Sequence, residues 1–164
     1  MQDRRLSLAA IMLLCALPGC TGPTGTQRDI VEPVQHTRET VLGLIDRHLA
    51  QLNKSIEGLN DRMADLKQMP DTPDPTIREL RALDLAGWQL HQQQWILQRE
   101  HLQYARTHLQ RATEHPSEKP QIQQEWTKHE QEFEATLDEF RQQRHALEKK
   151  RLQVEAELID RYLR

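Results

Sequence analysis

The sequence predicts an all-α fold: an elongated, antiparallel three-helix (up-down-up) bundle of coiled-coil type that follows a leader and a flexible tether. Glycine is scarce, 6 of 164 residues, and most of the 8 prolines fall in clusters, so long stretches lack helix breakers. Apolar residues make up 37% and charged residues 29%, a balance that suits extended helices better than a deep globular core. The apolar residues also recur at heptad spacing, which is typical of coiled coils.

The chain begins with the pattern of a signal peptide. Two arginines precede an apolar run over residues 6–17, which a single serine interrupts and a Pro-Gly pair ends. The run has about twelve residues, whereas a membrane-spanning helix needs about 20. The pattern therefore predicts a leader over residues 1–19 that is removed, and not a transmembrane helix.

The tetrapeptide at the end of this leader, Leu17, Pro18, Gly19 and Cys20, resembles the lipobox of bacterial lipoproteins. In that family Leu stands three residues before the cleavage point and Cys directly after it, and the resemblance covers the leader and Cys20 alone. It implies cleavage between Gly19 and Cys20, a diacylglyceryl group on the Cys20 sulfur and usually an acyl chain such as palmitate on the new amine. Two or three chains attach a protein stably to a membrane, whereas one does not.

This processing would leave no free thiol, because Cys15 is lost with the leader and Cys20 is acylated. A disulfide, a thiol nucleophile and a Cys-based zinc site are then excluded. Thr21 follows the anchor, whereas in Gram-negative lipoproteins Asp at that place usually marks retention in the inner membrane. The resemblance thus implies a lipid-anchored protein of the cell membrane, on the outer membrane and facing the periplasm if the host is Gram-negative.

Residues 20–32 are expected to hold the lipidated cysteine and a flexible tether of small and polar residues. The helical domain then covers residues 33–164, with its first helix over about 33–68. That helix has the strongest pattern in the body of the chain, because its apolar residues alternate in steps of three and four. The seam consists of Leu42, Ile45, Leu49, Leu52, Ile56, Leu59, Met63 and Leu66.

Three prolines within residues 69–75 are expected to end the first helix, since each removes an amide donor and restricts the backbone. Asp74 and the proline after it form a good N-cap and first residue for a second helix over about 75–113. Two further prolines bound a second loop at 114–120, and the third helix is expected over about 121–164.

The second helix has two apolar lines about 160° apart, so it needs a neighbour on each face. One line is Trp88, Trp95, Leu102 and Leu109, and the other is Leu83, Leu90, Leu97 and Tyr104. The third helix has one line, Trp126, Phe133, Phe140, Leu147 and Val154, with Leu137 and Leu158 beside it. The second helix is therefore expected in the middle of an antiparallel array. Leu59 would then lie near Leu83, and Leu102 near Phe133.

Composition and motifs favour a protein that is neither an enzyme nor a nucleic-acid binder. The net charge is -3, and the charges are interspersed, so no basic surface is available for nucleic acid. Phosphate loops, Ser-centred elbows and His-Glu-x-x-His are absent from the sequence, and no Glu has a His three places later, as di-iron bundles require. No enzymatic activity and no cofactor are expected.

The histidines and tryptophans of the second and third helices raise an alternative, a ligand- or metal-sensing envelope module. His101, His108 and His115 repeat every seven residues, about 10.5 Å apart along a helix, which is too far for one metal ion without ligands from another helix. We therefore expect these histidines to be solvated or interfacial, with no metal site. The tryptophans, spaced among leucines, are expected in helix seams and not at a ligand site.

Two features of the third helix bear on partners. Arg144 and Arg151 interrupt its apolar line, and they either extend to solvent or pair with acids of the second helix or a partner. The apolar C-terminal segment, residues 158–163, is either a last turn of packing or a docking patch. The sequence as a whole predicts a membrane-anchored, periplasmic helical scaffold or partner-binding subunit that self-associates or binds another envelope protein.

Overall fold

The computed structural model describes residues 31–163, with side chains from residue 40 onward, and consists of three long helices. Helix α1 is Val31–Gln68, α2 is Pro75–Glu114 and α3 is Lys119–Leu163, and a short 3-10 helix, Pro116–Glu118, precedes α3. These residues contain no strand, so the all-α fold class is confirmed. The predicted leader, Cys20 and nearly all of the predicted tether lie outside the described residues.

The helix ends follow from local chemistry. Asp74 Oδ1 accepts a hydrogen bond from the backbone N–H of Thr76 at 2.8 Å, which makes Asp74 the N-cap of α2, as expected. Helix α1 is already helical at Val31, two residues earlier than expected. The second loop is shorter than the expected 114–120, because Pro120 lies in the first turn of α3, where its missing N–H is not needed.

Helix α2 lies in the middle and packs against α1 on one side and α3 on the other. In the described part of the chain, α1 and α3 make few contacts with each other. The Gln92 side chain donates a hydrogen bond to Asn60, and Arg106 Nε lies 3.3 Å from Asp46 Oδ1, so these pairs join α2 to α1. Three helices thus lie side by side in an antiparallel layer.

The core is a set of stripes along the helices and not a central mass, as the heptad pattern predicts. Its buried apolar side chains are Ile45, Ile56, Leu59 and Met63 in α1, Leu83, Leu90, Ala105, Leu109 and Ala112 in α2, and Ile122, Trp126, Leu137 and Val154 in α3. The rest of the first-helix seam is half-buried. The predicted seams are therefore confirmed as packing surfaces.

The register of α1 against α2 corrects one expectation. Asn60 of α1 contacts Gln92 of α2, and Asp46 contacts Arg106, as in an antiparallel pair of helices. One step forward along α1 therefore corresponds to one step back along α2, and this register puts Leu59 near residue 93 and not near Leu83. The reason is the proline-rich segment 69–74, which is extended instead of turning tightly. The Arg81 side chain donates a hydrogen bond to the Pro70 carbonyl at 2.5 Å, so this segment runs beside the first turns of α2.

The extended segment makes the tip of the molecule a two-helix structure. In this register the last residue of α1 lies level with residue 84, so the first nine residues of α2 project about 13 Å beyond α1. There α2 pairs with α3 through Glu79–Lys150 at 3.0 Å and through Asp74, whose Oδ1 lies 3.6 Å from Arg161. The start of α1 lies at the opposite end, where the same register puts residue 38 level with Glu114, the last residue of α2.

Candidate functional site

Histidines and aromatic rings form a cluster between α2 and α3, near the loop that joins these helices. Its members are His101, Tyr104 and His108 of α2 and Trp126, His129 and Phe133 of α3. We call this set the histidine–aromatic cluster. Two of the three heptad-spaced histidines are therefore interfacial, as expected, whereas His115 is exposed at the end of α2.

His101 and His129 face each other across the helix interface. The His101 ring nitrogen Nδ1 lies 3.2 Å from His129 Nε2, and the two rings are inclined by only 13°. The Phe133 ring stacks on His101 with centroids 3.8 Å apart, which brings Phe133 level with the region around Leu102, as expected. His101 is only 3% exposed, and its other nitrogen, Nε2, is buried without a hydrogen-bond partner.

The Tyr104 ring lies between two imidazoles. It stacks on His129 at 3.7 Å and on His108 at 3.8 Å, and its hydroxyl donates a long hydrogen bond, 3.4 Å, to the Glu125 carbonyl. His108 Nδ1 lies 3.2 Å from the Tyr104 carbonyl, which it can reach only as a donor. His108 Nε2 lies 3.4 Å from Glu125 Oε2 but is too poorly aligned for a hydrogen bond. These stacked rings replace aliphatic packing at this end of the seam.

Charged groups hold the loop side of the histidine–aromatic cluster. Arg111 donates hydrogen bonds from Nε and Nη2 to Glu118 Oε2, at 3.0 and 2.8 Å, and from Nη1 to Glu125 Oε2 at 2.8 Å. One guanidinium thus binds the 3-10 helix and the first turns of α3 together. A hydrogen bond from the Gln121 side chain is the largest influence lowering the pKa of Glu125, with the Arg111 charge adding to it.

Burial controls the protonation of the paired imidazoles. It lowers the pKa of His101 to about 4, with a further contribution from the charge of His129. Burial also lowers the pKa of His129, against the opposing effect of Glu132. Burial raises the pKa of Tyr104, so its hydroxyl stays protonated. His101 and His129 are therefore neutral at pH 7 and can accept protons in acid.

The arrangement can take up protons, but the described residues provide little for other chemistry. Residues 40–163 hold no group of three or more His, Cys, Asp or Glu side chains placed to bind a metal ion. The imidazole pair lies in the helix interface, with Phe133 stacked on His101 and Tyr104 stacked on His129. Its chemistry is that of a buried acid–base pair.

The remaining residues singled out by the sequence have separate places. Trp88 and Trp95 are half-buried on α2, and Trp95 contacts the exposed His91 ring at 4.6 Å. Arg151 pairs with Asp84 of α2 at 3.1 Å, so the hypothesis of an ion pair with the second helix is confirmed for Arg151. The charge of Arg144 contributes, after burial, to the lowered pKa of His91 on α2.

His129 was not singled out from the sequence, although the alternative of a sensing module included the histidines of the third helix. The signal was present, because His129 lies three residues after Trp126 and four before Phe133, on the apolar line of α3. A histidine at a seam position of one helix and another at the matching level of its neighbour predict a pair. Pairing His101 with His129 requires the register of α2 against α3, which the sequence does not provide.

Comparisons with protein-family models, with curated proteins and with solved structures found no match for this chain. Within residues 31–163, none of the helices is sufficiently long and apolar to span a bilayer.

Proposed function

We propose that this chain is a lipid-anchored, non-enzymatic scaffold of the bacterial cell envelope. Acyl chains on Cys20 attach it to a membrane, the outer membrane if the host is Gram-negative, and the helical layer holds another envelope protein away from that membrane. The anchor is supported by the lipobox-like residues Leu17, Gly19 and Cys20, and by the charged start and apolar run before them.

The observation that carries the scaffold part is the position of the exposed apolar side chains. Among the residues whose side chains are described, the large exposed apolar ones are Met69, Leu152, Ile159, Tyr162 and Leu163. All of them lie at the end of the layer away from Val31, where the tether would join. Helix α1 of 38 residues separates the two ends by about 57 Å. An apolar surface held far from the anchor is what a spacer for a partner needs.

Geometry on α3 supports a second helix-packing surface at this tip. Val154 is buried and Leu158 half-buried against α2, whereas Leu152, Ile159 and Leu163 lie on the opposite side of the helix and are 57 to 82% exposed. Their spacing of seven and four residues continues a heptad seam. Of the heptad-spaced histidines that raised the ligand-sensing alternative, His101 and His108 lie against α3, whereas His115 is exposed.

The anchor is tested by comparing the wild-type chain with Cys20→Ala in a bacterial host. We expect the wild type in the membrane fraction, cleaved before Cys20 and heavier by its acyl groups in mass spectrometry of the N-terminal peptide. Cys20→Ala should stay an uncleaved precursor, since its acylation and the matching cleavage both require the cysteine. A mature chain with an unmodified Cys20 would contradict the anchor, whatever the helices do.

The scaffold is tested by placing a photo-crosslinking residue at Ile159 and, as the matched control, at the exposed Thr127 near the other end of α3. In intact cells we expect a crosslink from Ile159 to a different envelope protein, and none from Thr127. Crosslinks from both positions, from neither, or from Ile159 to a second copy of this chain alone would contradict a partner-holding tip.

A further inference from the structure

We propose that the buried His101–His129 pair is an acid-sensitive joint, and that proton uptake there separates α2 from α3 at the loop end while the tip of the molecule stays closed. The inference concerns the histidine–aromatic cluster and does not depend on the lipid anchor or on a partner.

The geometry of the pair limits how many protons it can hold. With both rings neutral, one N–H donates to the lone pair of the other ring across the 3.2 Å gap between His101 Nδ1 and His129 Nε2. One added proton keeps that bond but places a charge in the interface. A second proton leaves two N–H groups pointing at each other, so the hydrogen bond is lost and two cations face each other.

The second nitrogen of His101 adds to the cost of its protonation. His101 Nε2 is buried and has no hydrogen-bond partner, so in the neutral ring it can remain an unprotonated acceptor. In the charged ring both nitrogens carry hydrogens, and a buried donor without an acceptor is unfavourable. Phe133 stacked on the ring excludes water from that side. His101 is therefore neutral in the closed interface.

The charged and titratable groups around the His101–His129 pair do not offset the free-energy cost of protonating His101. On the α2 side they are His108, Arg111 and Tyr104, on the α3 side Glu125, Lys128 and Glu132, and on the α1 side Asp46 with Arg106. Glu125 is bound by Arg111, and Glu132 lies 3.8 Å from Lys128. Glu132 acts on His129, and no carboxylate contributes to the pKa of His101.

The sign of the pH effect follows from the direction of these shifts. The folded pKa of His101, about 4, lies below its ordinary value of 6.5, so an opened interface binds more protons than the closed one. The contribution of neutral His101 to the stability of the closed interface is complete above about pH 6.5 and declines as the pH falls towards 4. His129, whose pKa is also lowered, acts in the same direction.

The tip differs because ion pairs hold it. Asp84–Arg151, Glu79–Lys150 and the contact of Asp74 with Arg161 join α2 to α3 there, and no histidine takes part in these contacts. The pKa of Asp74 is lowered, chiefly by its hydrogen bond from the Thr76 backbone, so its charge persists further into acid. Mild acid therefore acts on the histidine end first.

The test is hydrogen exchange of the full-length chain, purified in detergent, at pH 7.5 and 5.0 and corrected for the intrinsic exchange rates. We expect backbone opening in residues 98–112 and 122–136 to rise at least about tenfold at pH 5.0, with a much smaller change in residues 76–90 and 147–161. His101→Gln, which cannot be charged, should reduce the rise several-fold, and the double variant His101→Gln, His129→Gln should abolish it. His145→Gln, at an exposed histidine of α3, should leave it unchanged.

Opening that starts at the tip, opening that is uniform along the helices, or a rise of wild-type size in His101→Gln would overturn the proposal. A titration of the histidine rings by NMR in the wild-type chain keeps the test valid even where His101→Gln fails to fold. His101 should titrate at least one pH unit below the ordinary histidine value of about 6.5, and a midpoint at that value would also overturn the joint.

Discussion

At the residue scale, the most buried positions of α2 are not those of its predicted apolar lines. Ala105 is 2% exposed, His101 3% and Ala112 6%, and none of them belongs to either line. Ala105 and Ala112 lie on the side of α2 between the two lines, where α1 and α3 both approach. A small side chain at such a place permits close packing, which a pattern search for large apolar residues overlooks.

Ala105 provides a direct test of that packing. Ala105→Leu should lower the free energy of unfolding by about 1 to 3 kcal/mol, because a larger side chain has to displace its neighbours. Ala82→Leu, at an exposed position of the same helix, is the control and should change it by less than about 0.5 kcal/mol. Urea denaturation followed by circular dichroism measures both. A stabilised Ala105→Leu would mean that the space beside Ala105 is open.

An arginine within an apolar seam can also have a structural role. Arg151 interrupts the apolar line of α3, and its Nε lies 3.1 Å from Asp84 while Nη2 lies 3.1 Å from Glu155. Because these side chains are about half exposed, the pair adds little stability. Its role is to make one register of α2 against α3 better than the alternatives, in which the guanidinium would face apolar residues.

At the element scale, the structure assigns the two faces of α2. Tyr104 contacts the rings of α3, so the line of Leu83, Leu90, Leu97 and Tyr104 faces α3. Gln92 and Arg106, which bind α1, are helical neighbours of Trp95 and Leu102, so the tryptophan line lies on the α1 side. The sequence predicted two faces but not which neighbour meets each one.

This assignment predicts different damage from two substitutions five residues apart. Leu90→Asp should lower the free energy of unfolding by about 3 kcal/mol and increase hydrogen exchange in α3, because it places a carboxylate at a buried site. Trp95→Asp should lower the free energy of unfolding by about 2 kcal/mol, since Trp95 is half-buried, and should increase hydrogen exchange in α1. Gln93→Asp, at an exposed position between them, is the control. Identical exchange patterns for the two variants would contradict separate faces.

At the scale of the whole molecule, the offset between α1 and α2 determines the shape of the tip. A tight turn would have paired α1 with α2 up to their ends and placed Leu59 near Leu83. The prolines of segment 69–74 instead carry the chain past the end of α1, and the hydrogen bond from Arg81 to the Pro70 carbonyl holds that segment beside α2. The projecting part is where Leu152, Ile159 and Leu163 are exposed.

Crosslinking measures this offset directly. In the Cys15→Ser, Cys20→Ser background, which leaves no native thiol, Asn60→Cys with Gln92→Cys should react efficiently with a short bismaleimide within one chain. Asn60→Cys with Ala82→Cys is the control, because ten residues place the second thiol about 15 Å further along α2. Efficient crosslinking of the control pair, and not of the first, would restore the tight-turn register. Crosslinks between chains only would contradict the intramolecular layer.

The sequence alone determined the three helices, their ends to within two residues and the middle position of α2, since these depend on local chemistry and on apolar spacing. It also supplied the lipobox-like residues around Cys20, which the described residues do not reach. Only the tertiary structure decided which face of α2 meets which neighbour, how far α2 extends past α1, and that His101 meets His129. Heptad positions repeat, so a seam can slide by seven residues and keep its apolar contacts. The choice among such registers depends on a few polar pairs and on the length of one extended loop, which act only once the helices lie side by side.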